Sequence, residues 1–304
     1  MSIVASADIR SDHRAAAAAF QRGCRRLGLA GDPRLFWYHA IDLGDGLVTP
    51  GTFDYRPHLD AYGLPASMAG LRVLDVGSAT GFFAFAMERR GAEVVSVELP
   101  DLLSWDLFPG ESRQGIVAKI RRRLPYHMAP EEVASLADAS PSILYELLID
   151  GPFRFCHDRL RSRVAREYAT IHGLPDLDIC RRRFDLVMLG DILLHVIDPL
   201  SALAAAAAVC GGTLVVAQEL SAGETPAAAW VAGSGAEDDA AEWWRPNLPW
   251  FRAVLTRLGF AAVTVAGHFT SQVRPGGEVF AKTVIHAHRI SSPHRQTGDR
   301  PTGG

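Results

Sequence analysis

From Leu71 onward the chain alternates short aliphatic runs with longer stretches whose apolar positions recur at helical spacing. The short runs predict strands near 71–76, 93–98, 167–171, 184–189 and 212–218. Strands separated by helices imply a parallel sheet covered on both faces, an α/β fold. Two later β-branched runs, AAVTVAG and VFAKTVIHAH, follow a helix at about 249–258 and predict a closing antiparallel pair. Helix limits agree with cap chemistry. Asp198 precedes a first-turn Pro199, Gly211 and Gly259 sit at helix ends, and Asn247 can cap the helix that begins near Pro249.

Upstream, the alanine-rich stretch Ser11 to Leu27 predicts a helix capped by Ser11 or Asp12 and stopped by Gly28. Next comes LFWYHAIDLGDGLVTPGTF, two β-prone arms around Gly44, Asp45 and Gly46, with Pro50 and Gly51 ending the second arm. That pattern predicts a tight hairpin. The expected organisation is an N-terminal cap over 1–65 and a main α/β domain over 66–290. A helical insertion interrupts that domain at about 102–150, and a disordered polar tail covers 291–304.

Composition narrows the function. The chain has 304 residues, 48% of them hydrophobic, enough for a full core. Lys plus Arg total 31 against 34 Asp plus Glu, so no global positive field draws it to phosphate backbones. Local basic clusters occur at Arg121 to Arg123, at Arg159, Arg161, Arg163 and Arg166, and at Arg181 to Arg183. They read equally well as solvated helix faces. The longest apolar run, Ala202 to Ala217, is broken by Gly211 and Gly212 and is too short to span a bilayer. With no secretory pattern at the start, the expectation is a cytoplasmic protein without a membrane role. Cys24, Cys156, Cys180 and Cys210 form no C-x-x-C pair, so reduced thiols and no metal site are expected.

The chemistry concentrates in DVGSATG, where Gly77 and Gly81 are four apart with Ala79 between them. A nicotinamide dinucleotide fingerprint needs G-x-G-x-x-G, which this turn lacks. A helix begins instead at about Thr80, and Glu98 stands at the tip of the next strand. A carboxylate there can accept from both hydroxyls of a ribose and selects an adenosine-type ligand.

LDVGSATG with Glu98, FDLVMLGDILLHVIDP and GGTLVVAQE together resemble the ordered motifs of class I S-adenosylmethionine-dependent methyltransferases, over about 71–290. The resemblance implies a Rossmann-like seven-stranded sheet, mostly parallel with the last strand reversed, and S-adenosyl-L-methionine as cofactor. It also implies that Asp75, Gly77 and Ala79, in the turn closed by Gly81, face the methionine part. Glu98 would hold the ribose, Leu99 would pack on adenine, and Gly190 with Asp191 would border the methionine end and the acceptor. The acid for the adenine amino group stays open between Asp176 and Asp178.

FWYHAIDLGDGLVTPG and WWRPNLPWFRAVLTRLGF further resemble a bacterial group related to the carboxymethyltransferase of the tRNA wobble uridine. There the fourth-strand motif ends in Tyr-His, whose tyrosine helps bind the extra carboxylate of carboxy-S-adenosylmethionine. Here the pair is Leu194 and His195, and leucine offers no hydrogen bond, which favours the ordinary cofactor. The expected activity is O- or N-methylation of a small secondary-metabolite acceptor. The alternatives are a tRNA-directed transferase and a noncatalytic cofactor-binding partner subunit.

Methyl transfer needs alignment more than acid–base help, so a base matters only for an acceptor that must lose a proton. His195, just past the fourth strand, is the first catalytic candidate, and Tyr38 with His39 in the cap are the second. His286 and His288 alternate on one strand and read as surface residues. Trp105, Trp243, Trp244 and Trp250 offer flat apolar surface near predicted loops.

Overall fold

Aliphatic runs become strands because β-branched side chains pack well on a pleated, two-sided layer. In chain order, α1 (Ala7–Arg26) precedes β1 (Arg72–Val76), α2 (Phe82–Glu88) and β2 (Glu93–Glu98). The insertion then contributes α3 (Arg113–His127) and α4 (Pro141–Tyr145). A π-helical turn (Glu146–Asp150) runs on into α5 (Gly151–Leu160). β3 (Ala165–Tyr168), β4 (Phe184–Gly190), α6 (Pro199–Val209), β5 (Cys210–Gln218), the short pair β6 (Ala228–Trp230) and β7 (Trp244–Pro246), α7 (Leu248–Arg257), β8 (Ala262–Gln272) and β9 (Val279–His288) complete it. This computed structural model describes residues 7–30, 32, 34–127, 133–134, 136–233 and 242–289. The expected tail at 291–304 and part of the expected insertion lie outside the described residues.

The main sheet has seven strands in the order β3-β2-β1-β4-β5-β9-β8. Strands β1 to β5 pair in parallel, and β9 runs antiparallel to both β5 and β8. This is the mostly parallel, last-strand-reversed arrangement that the motifs imply. One face packs Val73, Met188, Val215 and Val284 against α2 and the N-terminal cap. The other packs Leu74, Val187, Leu214 and Val216 against α6 and α7. Caps form as read: Asp198 accepts from the Ser201 N–H at 3.0 Å, and Asn247 from that of Trp250 at 2.9 Å.

Three local expectations change. The first helix starts at Ala7, so Ser11 and Asp12 lie inside it; Ile9 and Arg10 are tolerated in a helix and carry it a turn further back. Around Gly44 to Gly46 the hairpin shrinks to one antiparallel bridge, Asp42 to Val48. The reason is Thr49, whose hydroxyl accepts from the Ile41 N–H at 2.7 Å and donates to the His39 carbonyl at 2.7 Å, replacing ladder bonds. The third strand covers Ala165–Tyr168 instead of 167–171, because the chain turns into a 3-10 segment from Ile171.

The insertion has its own apolar cluster, with Ile116, Ile120, Leu144 and Leu148 at its centre and Leu35 and Phe36 of the cap against it. The Phe36 N–H donates to the Leu147 carbonyl at 2.9 Å. Cap and insertion therefore meet above the same end of the sheet.

Candidate functional site

The glycine turn is built from three left-handed residues, Gly77 (φ +65°), Ala79 (φ +48°) and Gly81 (φ +92°). A Cβ at Gly77 would run into Ile192, and one at Gly81 would come within 2.6 Å of the Phe85 ring. Ala79 has no such freedom, and its left-handed backbone carries a strain of roughly 1–2 kcal/mol. Glu98 offsets that strain. One carboxylate oxygen accepts from the Ala79 N–H at 2.7 Å, the other from the Leu99 N–H at 2.9 Å. Each oxygen keeps a further acceptor direction.

Arg166 of β3 underpins the turn. It donates to Ser78 Oγ at 2.7 Å, Ser96 Oγ at 3.1 Å and the Ala79 carbonyl at 3.3 Å. Its second amino group donates to Asp150 at 3.1 Å, and the guanidinium lies 4.1 Å from the centre of the Phe153 ring. The Tyr145 hydroxyl donates to the Leu99 carbonyl, so the last helix of the insertion is tied to the strand tip. Sequence placed Arg166 in a basic cluster, but its side chain is buried in this network. Arg159 is likewise paired with Asp45, and Arg181 with Asp178.

Asp75 stands inside the sheet edge, 2% exposed. Burial pushes its carboxyl up to about 7, the charge of Glu98 adding to the rise, while the Ala84 N–H and Arg166 oppose it. Its Oδ2 has no hydrogen-bond partner among the described residues.

At the tip of β4, Gly190 is followed by Asp191, again left-handed at φ +55°. The Asp191 carboxylate forms an ion pair with Lys282 of β9, and the Tyr55 hydroxyl lies 3.5 Å from the same oxygen. His39 is buried beside them. Its Nδ1 is 3.2 Å from Thr80 Oγ1, and its ring packs on Tyr38 and Phe82 at 4.7 and 5.7 Å. Burial, helped by the Lys282 charge, drives the His39 imidazole down to about 3, so it is neutral. Tyr38 packs on Phe53 at 4.7 Å. The cap thus brings His39 to the glycine turn, with Tyr38 packed behind it.

His195 lies elsewhere on the rim, half-buried in the turn Leu193–His195, its ring 6.1 Å from that of Trp105. Leu194 is buried, and its carbonyl accepts from the Trp243 N–H at 2.7 Å. Phe108, Trp230 and Trp243 pack together with ring centres 5.8–5.9 Å apart, while Trp250 packs on Phe251 over the opposite face of the sheet.

His286 is not a surface residue. It is 9% exposed, and its Nε2–H donates to the Tyr62 carbonyl at 2.9 Å, because β9 is an interior strand covered by the cap. His288, at the far end, bonds Thr213 Oγ1 at 3.0 Å. Asp176 and Asp178 are both exposed. The neighbouring carbonyls of Ile179 and Arg182 accept from Arg72 at the amino end of β1, the wrong end of the sheet for a partner of Glu98.

Tyr55, Lys282, Asp150 and the inward role of Arg166 escaped the sequence. Only Lys282 leaves a signal there, a lysine in the otherwise apolar run VFAKTVIHAH. Among the described residues no group of three or more His, Cys, Asp or Glu could hold a metal. Among them, too, no helix is long and apolar enough to cross a membrane.

No protein-family model and no curated protein matches the chain. Solved structures with similar backbones include the N-terminal domain of EvdMO1 with S-adenosylhomocysteine and D-fucose present. It shares 17% identity at a TM-score of 0.45, covering 84% of this chain and 91% of that one. Magnesium protoporphyrin IX methyltransferase from Synechocystis PCC 6803 shares 12% at 0.39, covering 77% and 80%. The 1,6-didemethyltoxoflavin-N1-methyltransferase of Burkholderia thailandensis shares 17% at 0.40, covering 73% and 72%. At these identities and scores the likeness fixes neither activity nor substrate.

Proposed function

We propose that the chain is an S-adenosylmethionine-dependent methyltransferase acting on a small acceptor. One observation carries the reading: the left-handed turn after β1 faces Glu98 at the tip of β2, at the carboxyl edge of a sheet whose closing strand is reversed. Ligands of open α/β sheets bind at that edge.

The residues fit the cofactor. Glu98 retains acceptor directions for a ribose diol, and Leu99 lies beside it for the adenine. The unpartnered Asp75 oxygen suits the cationic methionine end. When bound, the cofactor supplies an electrophilic methyl group. The chain aligns the acceptor, excludes water through the cap and insertion, and holds the acceptor's proton where one must leave. His195 is the candidate for that proton. His39, neutral and weakly basic, suits positioning of the cap over the turn. Engagement of Arg159 and Arg166 within the chain favours a small acceptor over tRNA.

Calorimetry with S-adenosylhomocysteine tests the cofactor site. Glu98→Ala should weaken binding by about 1–3 kcal/mol, the value of charge-assisted hydrogen bonds lost. Unchanged affinity would remove Glu98 from the ribose. His195→Ala should lower turnover on a mass-spectrometric acceptor panel with cofactor affinity intact, and a wild-type rate at every pH would end its role as base.

A further inference from the structure

An ion pair on the cap face of the sheet points to what the acceptor carries. Because β9 runs against β5, its first residues lie where the parallel strands end, and Lys282 sits one position beyond Gln218, the last β5 residue paired with it. The Lys282 side chain is 7% exposed and reaches Asp191 just past β4, two strands away in the sheet order. Asp191 holds it from a left-handed backbone, a strained geometry of the kind that persists at functional sites. The ammonium stands 5.8 Å from the centre of the Tyr55 ring and 4.9 Å from that of Phe280. Tyr55 in turn stacks on Phe83 and Phe53 at 5.8 and 6.0 Å.

A buried ion pair seldom adds net stability over an apolar pair of the same volume, so the fold itself does not call for a lysine here. An ammonium has three donors, and among the described residues Lys282 makes one hydrogen bond, to Asp191. Asp191 therefore aims the cation, and the Tyr55 hydroxyl beside that carboxylate shares its negative charge. What remains is a cation with donors to give, beside the Phe280 ring, at the carboxyl edge of the sheet where ligands of this architecture bind.

We propose that Lys282 is the acceptor-binding cation, taking an anionic oxygen on an aromatic acceptor that lies against the partly buried Phe280. Its place as an acceptor subsite rests on the methyltransferase reading; the anion preference itself does not. Asp191 is then a positioning residue for Lys282.

The test is calorimetry on the full chain, with and without saturating S-adenosylhomocysteine. The probes are benzoate, 4-hydroxybenzoate and 4-nitrophenolate, with benzamide as the neutral control. At least one anion should bind the wild type about tenfold more tightly than benzamide. Lys282→Gln should erase that preference, Lys282→Arg should keep part of it, and both should bind S-adenosylhomocysteine as the wild type does. Thermal unfolding reports whether the variants fold, and the wild-type comparison with benzamide decides even if Lys282→Gln does not. No preference for any anion in the wild type, or its survival in a folded Lys282→Gln, overturns the proposal. Failure to bind S-adenosylhomocysteine would instead sink the cofactor reading and leave the anion result standing on its own.

Discussion

Each end of the sheet holds a buried arginine laid on a phenyl ring, Arg72 over Phe184 at 3.9 Å and Arg166 over Phe153 at 4.1 Å. At the amino end, Arg72 donates to the carbonyls of Arg182 at 2.6 Å and Ile179 at 2.8 Å, and to Glu93 at 3.3 Å. These bonds close the sheet against the segment before β4. At the carboxyl end, Arg166 instead holds two serine hydroxyls, the carbonyl of a strained alanine, and an acid in a π-helical turn. Near it, Asp75 Oδ2 and Arg166 Nε have no partner among the described residues. The same side chain seals one end and shapes a cradle at the other. The difference lies in the surroundings: beside Arg166, and not beside Arg72, lie buried polar atoms without a partner among the described residues.

Removing either arginine should separate the two roles. Arg72→Ala leaves the carbonyls of Ile179 and Arg182 without their donor and removes the packing on Phe184, and should cost about 3–5 kcal/mol of stability in denaturant titration, with cofactor affinity of the folded fraction unchanged. Arg166→Ala should cost less stability, roughly 2–3 kcal/mol, yet weaken S-adenosylhomocysteine binding about tenfold because the turn loses its support. Equal affinity losses in both would erase the contrast between the ends.

Glycines sharpen it further. Gly70 and Gly77 both have positive φ, +78° and +65°, but a Cβ at Gly70 meets nothing within 4 Å while one at Gly77 meets Ile192. Gly70→Ala should therefore cost about 1 kcal/mol from backbone strain alone, and Gly77→Ala about 2–3 kcal/mol with lost cofactor binding. Thermal unfolding and calorimetry on the two variants decide.

In the wild type the pH dependence is small, because two buried groups act against each other. Asp75 is raised to about 7 when folded, so it stabilises the fold below its unfolded value and loses that contribution as pH climbs toward 7. His39 is lowered to about 3, so its contribution is present above its unfolded value near 6.5 and fades as pH falls toward 3. Between about pH 4 and 6.5 the two slopes oppose, each roughly 1 kcal/mol per pH unit at most. Asp75→Asn should leave stability rising with pH in that window, and His39→Asn should leave it falling. Melting temperatures that move identically with pH in the two variants would refute the pair.

Much of the architecture was legible because it is written in local periodicity. Five aliphatic runs and a β-branched closing pair gave the sheet, and Asp198 with Pro199 and Asn247 gave helix starts, since caps act within one turn. The hairpin turn forms but its ladder is shorter than expected, because the Thr49 hydroxyl takes the Ile41 N–H in place of a backbone carbonyl, a substitution no alternation pattern reveals. His286 failed for a different reason: exposure along a strand depends on whether another strand and the cap cover it, and β9 is interior.

The sequence by itself determined a mostly parallel layer with a small-residue turn and an acid one strand away, because both lie within about thirty residues and follow strand and helix periods. It could not place Tyr55, Asp191 and Lys282 together, since those contacts join positions 136 and 91 residues apart. Nor could it turn Arg166 inward beneath the glycine loop. Such pairings are set by how the cap and the reversed strand pack over one edge, and packing of distant segments leaves no period in the chain to read.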